Sequence, residues 1–498
     1  MVSGPFLAKV TELYAAYHGW KGDIHLDMWR CHMKYGNHVR YGPNAILFNT
    51  SEGMRDIYRF GSSSSFIKGL NYEPMVHRTP NTLTMSGGKE HARRRRILSY
   101  GLSGQALRDC EGRITRHILS LCRAVTADVD EIDEQVGGGG RSWGKPVDMS
   151  ELCSYLSFDI MADVMFGAKY NLIEEPKFRY IVKAIENSNT RLAALAQAPR
   201  FARLKLDKYI FRSAIESRTR FLKFLGRMLN ARLEELAQVE EDKDDDKHGD
   251  LFGSLINATD PETGSKFTTD ELLAESATLV FAGTDTASIS LAALLFYLAH
   301  NPTCYQRAAT EVRDAFGSEP VQGGPALASC VYLKACINEA MRMSPPVGGS
   351  LWREVTPPEG SIVDGQLIPQ GCTVGVGLYS IQHSEVYYEE PFRYNPDRWL
   401  GNDANNRAKV ERALSAFAPF SLGPRSCLGK GFAQHELMLA AATILKIADF
   451  RIPKGVEYNR VGCGRKGAEL GRHRPEEYQL RDHITGQNEG PVLQFLLR

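Results

Sequence analysis

Residues 268–300 do most to narrow the folds open to this chain. Thr268 and Glu271 have the spacing of a capping box, Asn301-Pro302 supplies a stop, and Asp285 is the one charge between Ser276 and Ala299. The pattern predicts a helix reaching His300, roughly 48 Å long at the α-helical rise. A helix apolar on every face either runs through the core of a large protein or spans a membrane. No second segment of this kind occurs in the sequence, and Met1–Lys9 has neither a signal-peptide core nor an apolar run of about 18 residues, so a core helix is expected. Gly283 and the β-branched Thr284 and Thr286 sit at its middle against their helix propensity, which implies a local opening of the π-bulge type.

Around this segment, apolar residues recur at spacings of three and four from about Lys89 to Ile256, as at Leu152, Leu156 and Ile160, and read as successive amphipathic helices. His38-Val-Arg-Tyr and Ala45-Ile-Leu-Phe read as strands, as does Cys372 to Ile381, and a further helix follows Gly429. Gly137 to Gly140 is read as a loop and Glu240 to Asp246 as an acidic linker. The class expected is mainly α with a small β-rich portion, folded as a single domain over residues 1–498. The 60 basic and 59 acidic residues leave a formal net charge of +1, so no global field favours nucleic acid. Ten cysteines without CxxC or metal-finger spacing are expected to be mostly buried, reduced thiols.

Chemistry concentrates in Phe420-Ser-Leu-Gly423-Pro-Arg425-Ser-Cys427-Leu-Gly429, which runs into the helical pattern starting at Lys430. Cys427 lies at a helix N-terminus, where backbone N–H groups and the helix dipole favour thiolate. Gly423 and Gly429 let backbone approach a flat ligand, and Arg425 suits a carboxylate. A buried cysteine in a glycine-rich turn is the plainer alternative for the thiol taken alone.

Phe-x-x-Gly-x-Arg-x-Cys-x-Gly resembles the haem-binding signature of the cytochrome P450 family, and every position matches. The resemblance implies the cytochrome P450 fold around a haem b whose iron is ligated by Cys427, with Arg425 on a haem propionate and Phe420 against the sulfur. Weaker motifs occur upstream in the family's order. Glu339-Ala-Met-Arg342 and Pro396-Asp-Arg398-Trp399, preceded by Phe392, resemble the segments that supply its structural ion triad, here Glu339, Arg342 and Arg398. Asp285 and Thr286 resemble its acid and alcohol pair, which delivers protons during dioxygen activation. His91 and Arg95, with histidine where the family commonly has tryptophan, and Arg353 are implied as further propionate contacts. Arg93 to Arg96 cannot all face one ligand, and the outward members are read either as part of a docking surface for an acidic redox partner or as a solvated helix face.

A thiolate-ligated haem implies monooxygenation of a largely apolar small molecule. The sequence has no Gly-x-Gly-x-x-Gly fingerprint after a strand, so electrons are expected from a separate NADPH-cytochrome P450 reductase. Its texture is most similar to filamentous-fungal members of secondary metabolism. Such members usually carry an N-terminal membrane helix before a Gly-Pro like Gly4-Pro5, so attachment to the cytosolic face of the endoplasmic reticulum through an anchor missing from this chain is expected, and otherwise a cytoplasmic location. Oxidative phenol coupling or ring formation is the alternative; a reductase-independent isomerase or dehydratase, or a haem sensor, ranks below it. Phe281, Ala282 and Val347 are expected to line the substrate pocket, together with the loop from Phe66 to Met85 and the turn near Gly490.

Overall fold

The computed structural model describes residues 2–59, 61, 65–127, 142–242, 250–401, 404–455 and 457–498. Gly137 to Gly140 lie outside the described residues. Of the acidic run, the backbone of Glu240 to Asp242 continues the helix Arg212–Asp242, and residues 243–246 lie outside the description.

The long helix is Thr269–His300, and its capping box has both halves: Glu271 N–H donates to Thr268 Oγ1 at 3.3 Å and Thr268 N–H to Glu271 Oε2 at 2.8 Å. It is the one described helix long and apolar enough to cross a membrane, and 72% of that apolar window is buried inside the protein. Its flanks pack on helices Met149–Phe166, Val331–Met343 and Lys430–Ile447. Residues Ile289 to Leu298 enter one apolar cluster with Leu156, Ile160, Ile337 and Leu437. Burial of such a helix on all sides explains why its sequence shows no polar stripe. It is α-helical throughout, without a π turn. Instead of the expected opening, the Thr286 hydroxyl donates to the Ala282 carbonyl one turn back at 2.7 Å, which satisfies a β-branched polar residue inside a helix.

The β-rich portion gathers remote segments. His38–Gly42 and Ala45–Phe48 form a hairpin, and Thr373–Val376 pairs in parallel with the latter, followed by Arg353–Val355 and Phe66–Ile67 in a five-stranded sheet. The strand expected through Ile381 stops at Val376. Leu378–Gln382 turns into a short buried helix that presents the Gln382 carbonyl to Arg342 at 2.7 Å. A hairpin of Arg481–His483 and Thr485–Gln487 carries the C-terminal chain against the long helix. Six of the ten cysteines are buried and all ten are free thiols.

Candidate active site

A cavity of about 370 Å³ lies between the middle of the long helix and the loop that precedes helix Lys430–Ile447. Cys427 is on its floor. Two left-handed residues shape the loop, Ser421 at φ 57° and Gly423 at φ 67°. Cys427 N–H closes it by donating to the Phe420 carbonyl at 2.8 Å. A Cβ on Gly423 would lie 2.1 Å from the Tyr58 carbonyl oxygen, so backbone packing and positive φ, not approach to a ligand, require glycine there. At Gly429 a Cβ would meet nothing within 4 Å, and this residue borders the cavity, as the ligand-approach argument expects. Burial raises the Cys427 thiol pKa against the lowering effects of the Gly429 N–H, Arg95 and Lys430. A bound metal would hold the sulfur deprotonated against this rise.

Phe281, Ala282, Gly283 and Thr286 form the roof, Val347 and Leu351 one wall, and Phe420 lines the cavity with Cys427. The loop from Phe66 to Met85 contributes Lys68, Tyr72, Met75 and Leu83. The C-terminal chain reaches the cavity through Ile484 and Thr485, not through the expected turn at Gly490, whose carbonyl accepts from the Tyr478 hydroxyl.

One rim of the cavity is cationic. His91, Arg95, Arg425 and Lys68 all border it. Arg95 donates to the Ser426 carbonyl at 2.7 Å, Arg425 to the carbonyls of Met85 and Ser86 at 2.8 and 2.9 Å, and Lys68 to the Leu83 carbonyl. Among the described residues, no carboxylate stands within ion-pair distance of these groups. Burial and their mutual repulsion lower Lys68 well below the ordinary lysine value, Arg425 to about 10 and His91 to about 3. Such a set fits a ligand bearing carboxylates, and a sulfur on the floor beneath fits an iron; both match the donors a haem requires. Arg353 does not itself border the cavity; it donates to the Tyr72 hydroxyl at 2.9 Å and to the carbonyls of Leu351 and Trp352, and its charge lowers Lys68 and Arg425 at the rim. Lys68 was missed because Phe66-Ile-Lys68-Gly carries no motif; only the fold brings it to the rim.

The remaining arginines of the run are committed elsewhere. Arg93 pairs with Glu90 and Glu271, Arg94 with Glu90, Glu271 and Glu275, and Arg96 with Asp260 and Glu262. Arg94 is buried and the Arg93 side chain is 13% exposed. Arg93 and Arg94 tie the helix Gly88–Gly101 to the start of the long helix and Arg96 ties it to the loop before, so neighbouring carboxylates offset these charges.

The structure brings together Glu339, Arg342 and Arg398. Arg342 grips Glu339 through two bonds of 2.9 Å, and Arg398 Nε donates to Glu339 Oε1 at 2.9 Å. The Trp399 indole and the Asn395 N–H complete the carboxylate's partners at 3.0 Å each.

Thr286 faces the cavity, and Asp285 faces away from it. Asp285 Oδ2 accepts from the Thr485 hydroxyl at 2.8 Å and from Asn189 Nδ2 at 3.1 Å, all three residues being buried. Burial pushes the Asp285 carboxyl up to about 7, with Glu186 adding to the rise and the two donors opposing it. Thr485 also borders the cavity, so its hydroxyl joins acid and chamber. Neither Asn189 nor Thr485 has a local sequence signal. Glu436 was likewise missed. It borders the cavity on the helix after Cys427, and burial raises it to about 8 against one long bond from Ser157 at 3.4 Å.

Residues 5–466 match the family model described as Cytochrome P450. Cytochrome P450 monooxygenase AKT7 of Alternaria alternata is 41% identical over 99% of this chain and 91% of its own length. Cytochrome P450 monooxygenase poxM of Penicillium oxalicum is 41% identical over 99% of this chain and 89% of its own. A cytochrome P450 monooxygenase of Gibberella zeae is 46% identical over 90% of this chain and 98% of its own.

Proposed function

The chain belongs to the cytochrome P450 family and is a monooxygenase, and we propose that it is a haem-thiolate enzyme of fungal secondary metabolism that oxidises a largely apolar small molecule. In this reading residues 1–498 form one domain around the haem, and electrons come from a separate NADPH-dependent reductase. The observation that carries it is Cys427 on the floor of an apolar cavity whose rim holds cations without carboxylate partners. A haem on Cys427 would supply activation of dioxygen and transfer of one oxygen atom to substrate.

This chain's residues do the rest. His91, Arg95, Arg353, Arg425 and Lys68 would hold the propionates. Phe281, Ala282 and Val347 exclude water and press an apolar substrate toward the floor. Thr286 orients a hydroxyl at the roof. Asp285, poised near neutrality, holds a proton that Thr485 can pass between carboxyl and chamber. This intact acid and alcohol pair favours a reductase-driven oxidation over a reductase-independent isomerase or dehydratase. Oxidative coupling of phenols would use the same groups, and product mass separates it from oxygen insertion.

The test is the optical spectrum of the dithionite-reduced, carbon-monoxide-bound protein. A strongly red-shifted Soret band is expected; a band at the position of histidine-ligated haem would overturn the assignment of Cys427.

A further inference from the structure

A second chamber of about 590 Å³ adjoins the cavity above Cys427, and Met75, Leu83, Thr278, Phe281 and Ile484 belong to the walls of both. The two thus share a wall. The outer chamber lies between helices Tyr180–Gln197 and Arg212–Asp242, the start of the long helix and the loop around His77. Its walls combine apolar side chains such as Leu192, Phe221 and Leu273 with four basic ones, His77, Arg78, Arg218 and Lys223. Asp270 is the single carboxylate among its lining residues and pairs with none of them.

Arg218 is the informative member. Four other arginines of these segments pair with carboxylates: Arg191 with Asp207, Arg203 with Glu73, Arg212 with Glu216 and Arg232 with Asp250. Arg218 has only the Met75 carbonyl, at 2.9 Å, and forms no ion pair among the described residues. A half-buried guanidinium that faces an apolar chamber with one backbone partner keeps most of its fork of donors for a ligand.

We propose that the outer chamber receives the carboxylate of the substrate on Arg218, with His77 and Arg78 beside it, while the apolar body extends past Phe281 and Ile484 toward Cys427. This rests on the haem-thiolate reading and adds a substrate class to it: amphiphilic carboxylic acids. The cations at the inner rim do not serve this purpose, because they belong to the haem in that reading. Burial, with Arg191 adding to it, holds Arg218 down to about 10, and His77 is lowered by burial and by Arg218 and Arg78, which is the electrostatic state a bound anion would relieve.

The test titrates the haem-loaded enzyme with dodecanoic acid and with its methyl ester, following the spin-state shift of the Soret band, in wild type and in Arg218→Gln. Wild type is expected to bind the acid at least about tenfold more tightly than the ester, a charge-assisted contact being that strong. Arg218→Gln is expected to erase the preference by weakening the acid and leaving the ester unchanged. Equal binding of the two probes by wild type, binding of neither, or an equal loss for both in the variant would overturn the proposal. A normal carbon-monoxide spectrum in the same preparation shows that such a failure concerns the outer chamber and not the haem-thiolate reading.

Discussion

Asp285 and Thr485 lie 200 positions apart in sequence and are joined by a 2.8 Å hydrogen bond at the wall of the cavity above Cys427. The bond lets a C-terminal hairpin govern an acid on the central helix. Burial raises the Asp285 pKa to about 7 and the Thr485 hydroxyl opposes that rise. Thr485→Val is therefore expected to move the acid further up, so that the inflection in the turnover rate assigned to Asp285 shifts to higher pH. Asp285→Asn is expected to abolish the inflection. Rate against pH for the three proteins checks this; an unmoved inflection in Thr485→Val would remove Thr485 from the relay.

Folding stability follows the same carboxyl with a definite sign. Between its unfolded pKa and about 7 Asp285 takes up a proton on folding, so wild type loses stability as pH rises through that window. Asp285→Asn lacks this loss. The denaturation midpoint of the variant relative to wild type should climb across that window and then level off.

Thr286 donates to the Ala282 carbonyl and faces the cavity, and nothing ties it to the cationic rim. Thr286→Ala is expected to bind haem normally while coupled turnover falls by about 10²-fold, with NADPH consumption diverted to hydrogen peroxide. Peroxide released per NADPH oxidised is the measurement; tight coupling in the variant would deny the hydroxyl its role.

Local signals made much of this legible, and distance hid the rest. Thr268, Glu271 and Pro302 mark the ends of the long helix because capping and the missing proline N–H act within one turn. Cys427 was found because its loop and the following helix are contiguous. Glu339, Arg342 and Arg398 could be grouped because two short motifs stand in a set order. Lys68, Asn189, Thr485 and Glu436 could not, since each matters only through residues brought in from remote segments. That Arg353 donates to the Tyr72 hydroxyl could not be read either, because the two are 281 positions apart. Gly423 was given the wrong cause for the same reason: Tyr58, which requires the glycine, is over 300 residues away.

Glu339 is fully buried, and burial alone would raise its pKa; Arg342 and Arg398 outweigh that and hold it below the usual value. Glu339→Gln leaves two arginines without their anion and is expected to cost about 3–5 kcal/mol, measured by urea denaturation. Arg342→Lys keeps the charge and loses the fork, and should cost less. The sign with pH is opposite to that of Asp285: the contribution of Glu339 is present above the unfolded glutamate pKa and is lost as pH falls through its depressed folded value.

Lys68 separates the cost of the cationic rim from its use. Burial first, then the charges of Arg353, Arg425 and Arg95, lower its pKa, so in the haem-free protein the ammonium opposes folding at neutral pH. Lys68→Met is expected to make the haem-free protein more stable than wild type at neutral pH. That gap should narrow as pH rises toward the ordinary lysine pKa, where the unfolded chain also gives up the proton. In the haem-loaded protein the same change removes a donor from the propionates, so transfer of haem to apomyoglobin should quicken by roughly tenfold, a charge-assisted hydrogen bond having about that strength. The carbon-monoxide band should stay where it was, because Cys427 is untouched. Haem loss at the wild-type rate would show that Lys68 holds only the Leu83 carbonyl, and that the propionates depend on Arg95, Arg353, Arg425 and His91 alone.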